Sequence, residues 1–136
     1  RLHSFLYHFL YHPVQLLSFG QNLFNQAEKV SKEYFDNGAV KIEKELKNGI
    51  QHGKTFFYFE NGKKRIERNF KEGKAHGKTF WYHMNGQIGW EENYNEGIPE
   101  GKWLYYSDNG KLQVEKVFKE GKEISYTAKD KIIRGN

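Results

Sequence analysis

The sequence predicts a mainly β protein: an elongated antiparallel β-meander of four 24-residue hairpin repeats, preceded by a short N-terminal helical segment. Three observations carry this prediction. The dipeptide Asn-Gly recurs at Asn37-Gly38, Asn61-Gly62, Asn85-Gly86 and Asn109-Gly110, with no insertion or deletion between copies. Two further glycine registers share the period, Gly49, Gly73, Gly97, Gly121 and Gly53, Gly77, Gly101, as do Tyr34, Tyr58, Tyr82 and Tyr106. The composition agrees: 17% of residues are aromatic, yet all hydrophobics together reach only 37% and mean hydropathy is -0.92. Aromatic-rich, glycine-rich chains suit short strands and tight turns, and so much aromatic area is foreign to a disordered chain.

Residues 1–29 stand apart, with Arg1, Glu28 and Lys29 as their charges. Leu2, Phe5, Leu6, Phe9 and Leu10 fit helical spacing up to Pro13. Two readings are open. The segment is a helical cap on the apolar face of the sheet, or Leu16 to Gly20 ends the apolar core of a secretion signal. The second would place the protein in the cell envelope or outside the cell, the first in the cytoplasm. Residues 30–124 hold the four hairpins and 125–136 form a tail.

Within each unit, Asn-Gly reads as a type I′ turn, because both residues tolerate positive φ. Asn48-Gly49, Glu72-Gly73, Glu96-Gly97 and Glu120-Gly121 offer the reversal at the other end, giving about eight strands in all. A two-residue loop sets Phe57 across from Ile66, Trp81 from Trp90 and Tyr105 from Val114 on one, mostly apolar, face. On the other face it sets Tyr34 against Lys41, Tyr58 against Arg65, Tyr106 against Gln113 and Phe80 against Glu91. A bulge would break this register.

The run Gly73, Lys74, Gly77, Lys78, Tyr82, Asn85, Gly86 resembles the MORN repeat in its bacterial variant form. The resemblance covers about residues 30–124. It departs where Ser125 replaces the expected glycine, and the array is expected to end there. The resemblance implies an interaction module, with bacterial members often grouped as antitoxins, and through the family name it raises binding to membranes.

No catalytic constellation emerges. With no Cys there is no disulfide, zinc-thiolate site or thiol nucleophile. Gly49–Thr55 and Gly73–Thr79 imitate a phosphate-binding loop but are one residue short and lead into aromatic strands, not a helix. His8 and His12 lack further ligands nearby, while His52 and His76 are repeat equivalents, so no metal or other cofactor is expected. Glu91, Glu92, Glu96 and Glu100 lack the cleft that paired carboxylates need.

Within a net charge of +5, a basic block at 57–80 stands beside an acidic one at 81–104. That pattern is not the continuous basic groove of a nucleic-acid binder. The expected function is therefore a non-enzymatic module presenting Tyr34, Tyr58, Tyr82, Tyr106 and Arg65 to a protein partner. The alternative is an anionic membrane surface met by Lys63, Lys64, Arg65 and Arg68. A second copy of the chain, docked on the apolar face, is a further expected partner.

Overall fold

The computed structural model describes residues 28–129, which form one antiparallel sheet. Its strands are β1 (Glu28–Tyr34), β2 (Val40–Lys47), β3 (Ile50–Tyr58), β4 (Lys64–Lys71), β5 (Lys74–Tyr82), β6 (Ile88–Asn95), β7 (Ile98–Pro99), β8 (Gly101–Tyr106), β9 (Leu112–Lys119) and β10 (Lys122–Ala128). Sequential neighbours pair throughout, with the two-residue β7 and then β8 both lying against β6. The predicted meander is present, its strands reaching from residue 28 to residue 128, and β10 carries the sheet into the expected tail. The expected N-terminal helical segment lies outside the described residues.

The type I′ geometry predicted for the Asn-Gly loops is found at the opposite end of each hairpin. At the Asn-Gly loops only glycine has positive φ, 81–85°. In the second hairpin Phe59 N–H donates to Lys63 O (2.8 Å) and Gly62 N–H to Phe59 O (2.9 Å), and the other three loops repeat this pattern. The loop is thus three residues long: a tight turn followed by a left-handed glycine. Asn stays because its side-chain oxygen accepts the amide two residues on, at 2.9 Å in the first loop (Ala39) and 3.0 Å in the second (Lys63). The type I′ turns are the reversals at the other end, where both residues take positive φ: 54° and 76° at Asn48-Gly49, 49° and 81° at Glu72-Gly73.

This correction moves the tyrosines. Tyr58 pairs with Lys64, not Arg65, and Tyr106 with Leu112, not Gln113; Tyr34 pairs with Val40, not Lys41. Arg65, Gln113 and Lys41 are the extra residues of β-bulges beside each loop. The longer loop and the bulge cancel further along the strands. Phe57 therefore faces Ile66, Trp81 faces Trp90, Tyr105 faces Val114 and Phe80 faces Glu91, as predicted.

A second, larger bulge sits near the I′ turns. Between Arg68↔Thr79 and Phe70↔Ala75, three residues of β5 (His76, Gly77, Lys78) oppose the single Asn69. Gly77 takes φ 83°, and Asn69 Nδ2 donates to Lys78 O at 2.8 Å. His52-Gly53-Lys54 repeats the arrangement, with Glu45 accepting the Lys54 amide at 2.7 Å. Where Ser125 replaces the glycine, the bulge shrinks and β10 slips relative to the regular units. A one-residue slip changes faces, so Tyr126, not Thr127, lies across from Lys116.

Successive I′ turns dock on one another. Gly73 N–H donates to Gln51 O (2.8 Å), Gly97 N–H to Ala75 O (2.7 Å) and Gly121 N–H to Pro99 O (3.0 Å). His52 and His76 Nδ1 each accept the amide of the next turn's glutamate at 3.4 Å, and Glu100 does the same for Glu120 at 2.8 Å. These histidines are parts of the scaffold.

Candidate functional site

Period-two alternation gives the sheet two unlike faces. The tryptophan face carries one apolar row across the strands: Ile42, Phe57, Ile66, Trp81, Trp90, Tyr105, Val114. Trp81 and Trp90 stack at 5.0 Å, and Trp103 bridges Tyr94 (5.3 Å) and Phe118 (4.4 Å). Ile66, 5% exposed, is the one buried apolar residue among those described, and Thr55 and Thr79 are more completely enclosed still. Both threonines are small residues in a row that also carries Lys44, Arg68, Glu92 and Lys116. Arg68 Nε donates to Thr79 Oγ1 (3.3 Å), and the guanidinium lies 6.0 Å from the Trp81 ring and 5.8 Å from that of Tyr94. The Tyr94 hydroxyl donates to Glu92 at 3.0 Å. Burial first, and then the nearby Glu92 charge, push the Tyr94 phenol up to about 12.

The tyrosine face alternates apolar and acidic side chains: Glu43, Phe56, Glu67, Phe80, Glu91, Leu104, Glu115. Each acid has a lysine. Lys32 binds Glu43 (3.1 Å), Lys54 binds Glu67 (2.8 Å), Lys78 binds Glu91 and Lys102 binds Glu115 (3.2 Å). The residues Glu43, Glu67, Glu91, Glu115 and Lys54, Lys78, Lys102 repeat with the same period as the glycines. That shared register was the signal that could have revealed this ionic ladder.

The predicted contact residues divide on this frame. Tyr82 directs its hydroxyl to Glu67 of the preceding hairpin at 3.4 Å. Burial, then the charge of Glu43, Glu67 and Glu91 respectively, raises the phenols of Tyr58, Tyr82 and Tyr106. These three are half-buried. Tyr34, in the first described hairpin, is 59% exposed. Arg65 is an exposed bulge residue.

The four basic candidates do not share one surface. Lys63 Nζ donates to Met84 O (3.1 Å), and Lys64 lies over the Phe56 ring and near Glu67 (3.3 Å). Arg68 sits on the tryptophan face. Glu91 and Glu92 point to opposite faces, one toward Lys78 and the other toward Tyr94. Among the described residues no three His, Cys, Asp or Glu side chains are grouped to hold a metal ion, and no helix is long and apolar enough to cross a membrane.

Glu67 gives this face a pH dependence. Burial pushes its carboxyl up, but hydrogen bonds from Lys54 and Lys64 outweigh this, so it lies below the ordinary 4.5. A depressed carboxyl stabilises the fold above its unfolded value, and that contribution fades as pH falls through the folded one. Urea unfolding of the wild type is thus expected to show a falling midpoint below about pH 5. Glu67→Gln should be less stable at pH 7 and have a shallower acid limb; an unchanged limb would refute the assignment.

No curated protein matches this chain. Two solved structures show local likeness: the accessory secretory protein 1, 2 and 3 complex of Streptococcus pneumoniae (17% identity, TM-score 0.43, 68% of this chain and 17% of that one) and the glycosylation-associated Gap123 complex of Streptococcus agalactiae (19%, 0.44, 73% and 18%). The chain spans less than a fifth of either. A family model described as MORN repeat variant matches residues 27–48, 51–72 and 99–120, three of the 24-residue units, and β5 and β6 between them form the same hairpin. With its repeats matched across residues 27–120, the chain belongs to the MORN repeat family, in the variant form.

Proposed function

We propose that this chain is a non-enzymatic interaction module whose tyrosine face receives a protein partner. One observation carries the reading: four tyrosines occupy the same position in consecutive hairpins, and three of them are held half-buried on the sheet. Tyrosine offers large contact area with few rotatable bonds, and side chains already fixed lose little entropy on binding. Tyr34 and Arg65 are its exposed anchors. The partner is a folded protein or peptide with acceptors for the tyrosine hydroxyls, in keeping with the antitoxin grouping of bacterial relatives.

Capture from a lysate of the native organism, followed by mass spectrometry, tests this. A Tyr34→Ala/Arg65→Ala double variant changes only exposed side chains. It is expected to lose at least about tenfold of a specifically captured protein at unchanged thermal stability. Equal recovery by wild type and variant sinks the proposal. So does salt-sensitive sedimentation with anionic vesicles as the sole binding event.

A further inference from the structure

We propose that two copies of this chain pack through their tryptophan faces about a two-fold axis lying along β5, with Arg68 of each meeting Glu92 of the partner subunit. Two opposite charges on this face have hydrogen-bond partners but no ion-pair partner among the described residues. One row across this face runs Lys44, Thr55, Arg68, Thr79, Glu92, with Trp103 and Lys116 continuing it on β8 and β9. The outer members are ion-paired within the chain, Lys44 with Glu33 (2.6 Å) and Lys116 with Glu123 (3.0 Å). Arg68 and Glu92 form no ion pair with any described residue, although Glu92 is only 8% exposed. Buried charges are normally paired. These two have opposite sign and flank Thr79 on the central strand.

A two-fold axis between stacked sheets, running along β5, exchanges β4 with β6 and β3 with β8. Arg68 of one copy then lies over the partner's Glu92, and the reverse pair forms at once, as an isologous interface requires. The apolar row obeys the same exchange. Ile66 meets the partner's Trp90, Phe57 the partner's Tyr105 and Ile42 the partner's Val114. Trp81, whose buried indole N–H has no acceptor among the described residues, sits on the axis itself. The tyrosine face fails the same operation: it sets Glu67 over the partner's Glu91, Glu43 over the partner's Glu115 and Lys54 over the partner's Lys102. Those charges are already ion-paired within the chain, as are Lys44 and Lys116, which the same operation sets over one another on the tryptophan face. Only the tryptophan face brings together opposite charges that lack an ion-pair partner among the described residues, Arg68 and Glu92, and this selects it.

The full chain tests this by light scattering after size exclusion, with a mass of twice 16.2 kDa expected. Arg68→Glu and Glu92→Arg each place like charges in both contacts, and each alone should weaken the dimer at least about a hundredfold. Mixed together, the two variants restore both ion pairs across a heterodimer, which native mass spectrometry should detect in excess over either homodimer. A misfolded variant could not regain partnership in this way. The proposal is overturned if the wild type is monomeric, as it would be if residues 1–27 cover the face instead. It is also overturned if either variant dimerises as well as the wild type, or if mixing yields no heterodimer. Tyr34→Ala/Arg65→Ala should leave the dimer intact, separating this interface from the partner surface.

Discussion

Gly77→Val is expected to destabilise the sheet by about 3 kcal/mol, because a β-branched residue is forced into a left-handed backbone. Gly77 holds φ 83° at the centre of the large bulge, and a Cβ there would meet no atom within 4 Å. The penalty is therefore conformational, not steric. The strand could relieve it only by the route taken at Ser125, a slip in register. In β5 such a slip would carry Thr79 and Trp81 from the tryptophan face to the other side. Urea unfolding should show the loss. Near-ultraviolet circular dichroism should show whether the Trp81–Trp90 stack survives. A variant as stable as wild type would mean that the bulge does not depend on glycine.

The opposite sign is expected at the I′ turns. Glu72, Glu96 and Glu120 take φ of 49°, 48° and 50°, where the first unit has Asn48 at 54°. A side chain of ordinary length is disfavoured in this region by roughly 1–2 kcal/mol, and asparagine is tolerated far better. The turns use the backbone amides of these glutamates, which substitution preserves. The triple variant Glu72→Asn/Glu96→Asn/Glu120→Asn should gain about 2 kcal/mol, close to the sum of its single variants. Thermal and urea unfolding would measure it, and a neutral or destabilising triple variant would show that the glutamates are held there by interactions of their side chains.

These two turns also show what the sequence could and could not convey. The 24-residue period made the meander legible, and the pairing of Phe57, Trp81 and Tyr105 followed from it. Turn type did not follow. Asn-Gly suits a two-residue I′ turn and equally a three-residue loop with glycine in the left-handed position, and both leave the distant register unchanged. The difference falls on the residues beside the loop, and those were the proposed contacts Tyr58, Tyr106 and Arg65. Glu72-Gly73 is a weaker I′ signal than Asn-Gly because glutamate seldom takes positive φ; docking against Gln51 and His52 helps to hold it there. The separation of Lys64 from Arg68 required the strand alternation together with the bulge at Arg65. The ionic ladder was present in the period and needed only to be read at Glu43 and Lys54 as it was at Tyr34.

The docking of each I′ turn on the one before has a consequence for how such an array can change its length. Gly73 reaches Gln51, Gly97 reaches Ala75 and Gly121 reaches Pro99 across the same interval. Every contact therefore fixes the phase of the next hairpin relative to the last. An insertion of one or two residues would throw all later hairpins out of step, whereas one whole unit could enter or leave with every joint remade. Length in this protein is quantised, and the quantum is set by the backbone hydrogen bonds between turns rather than by any side chain that faces a partner.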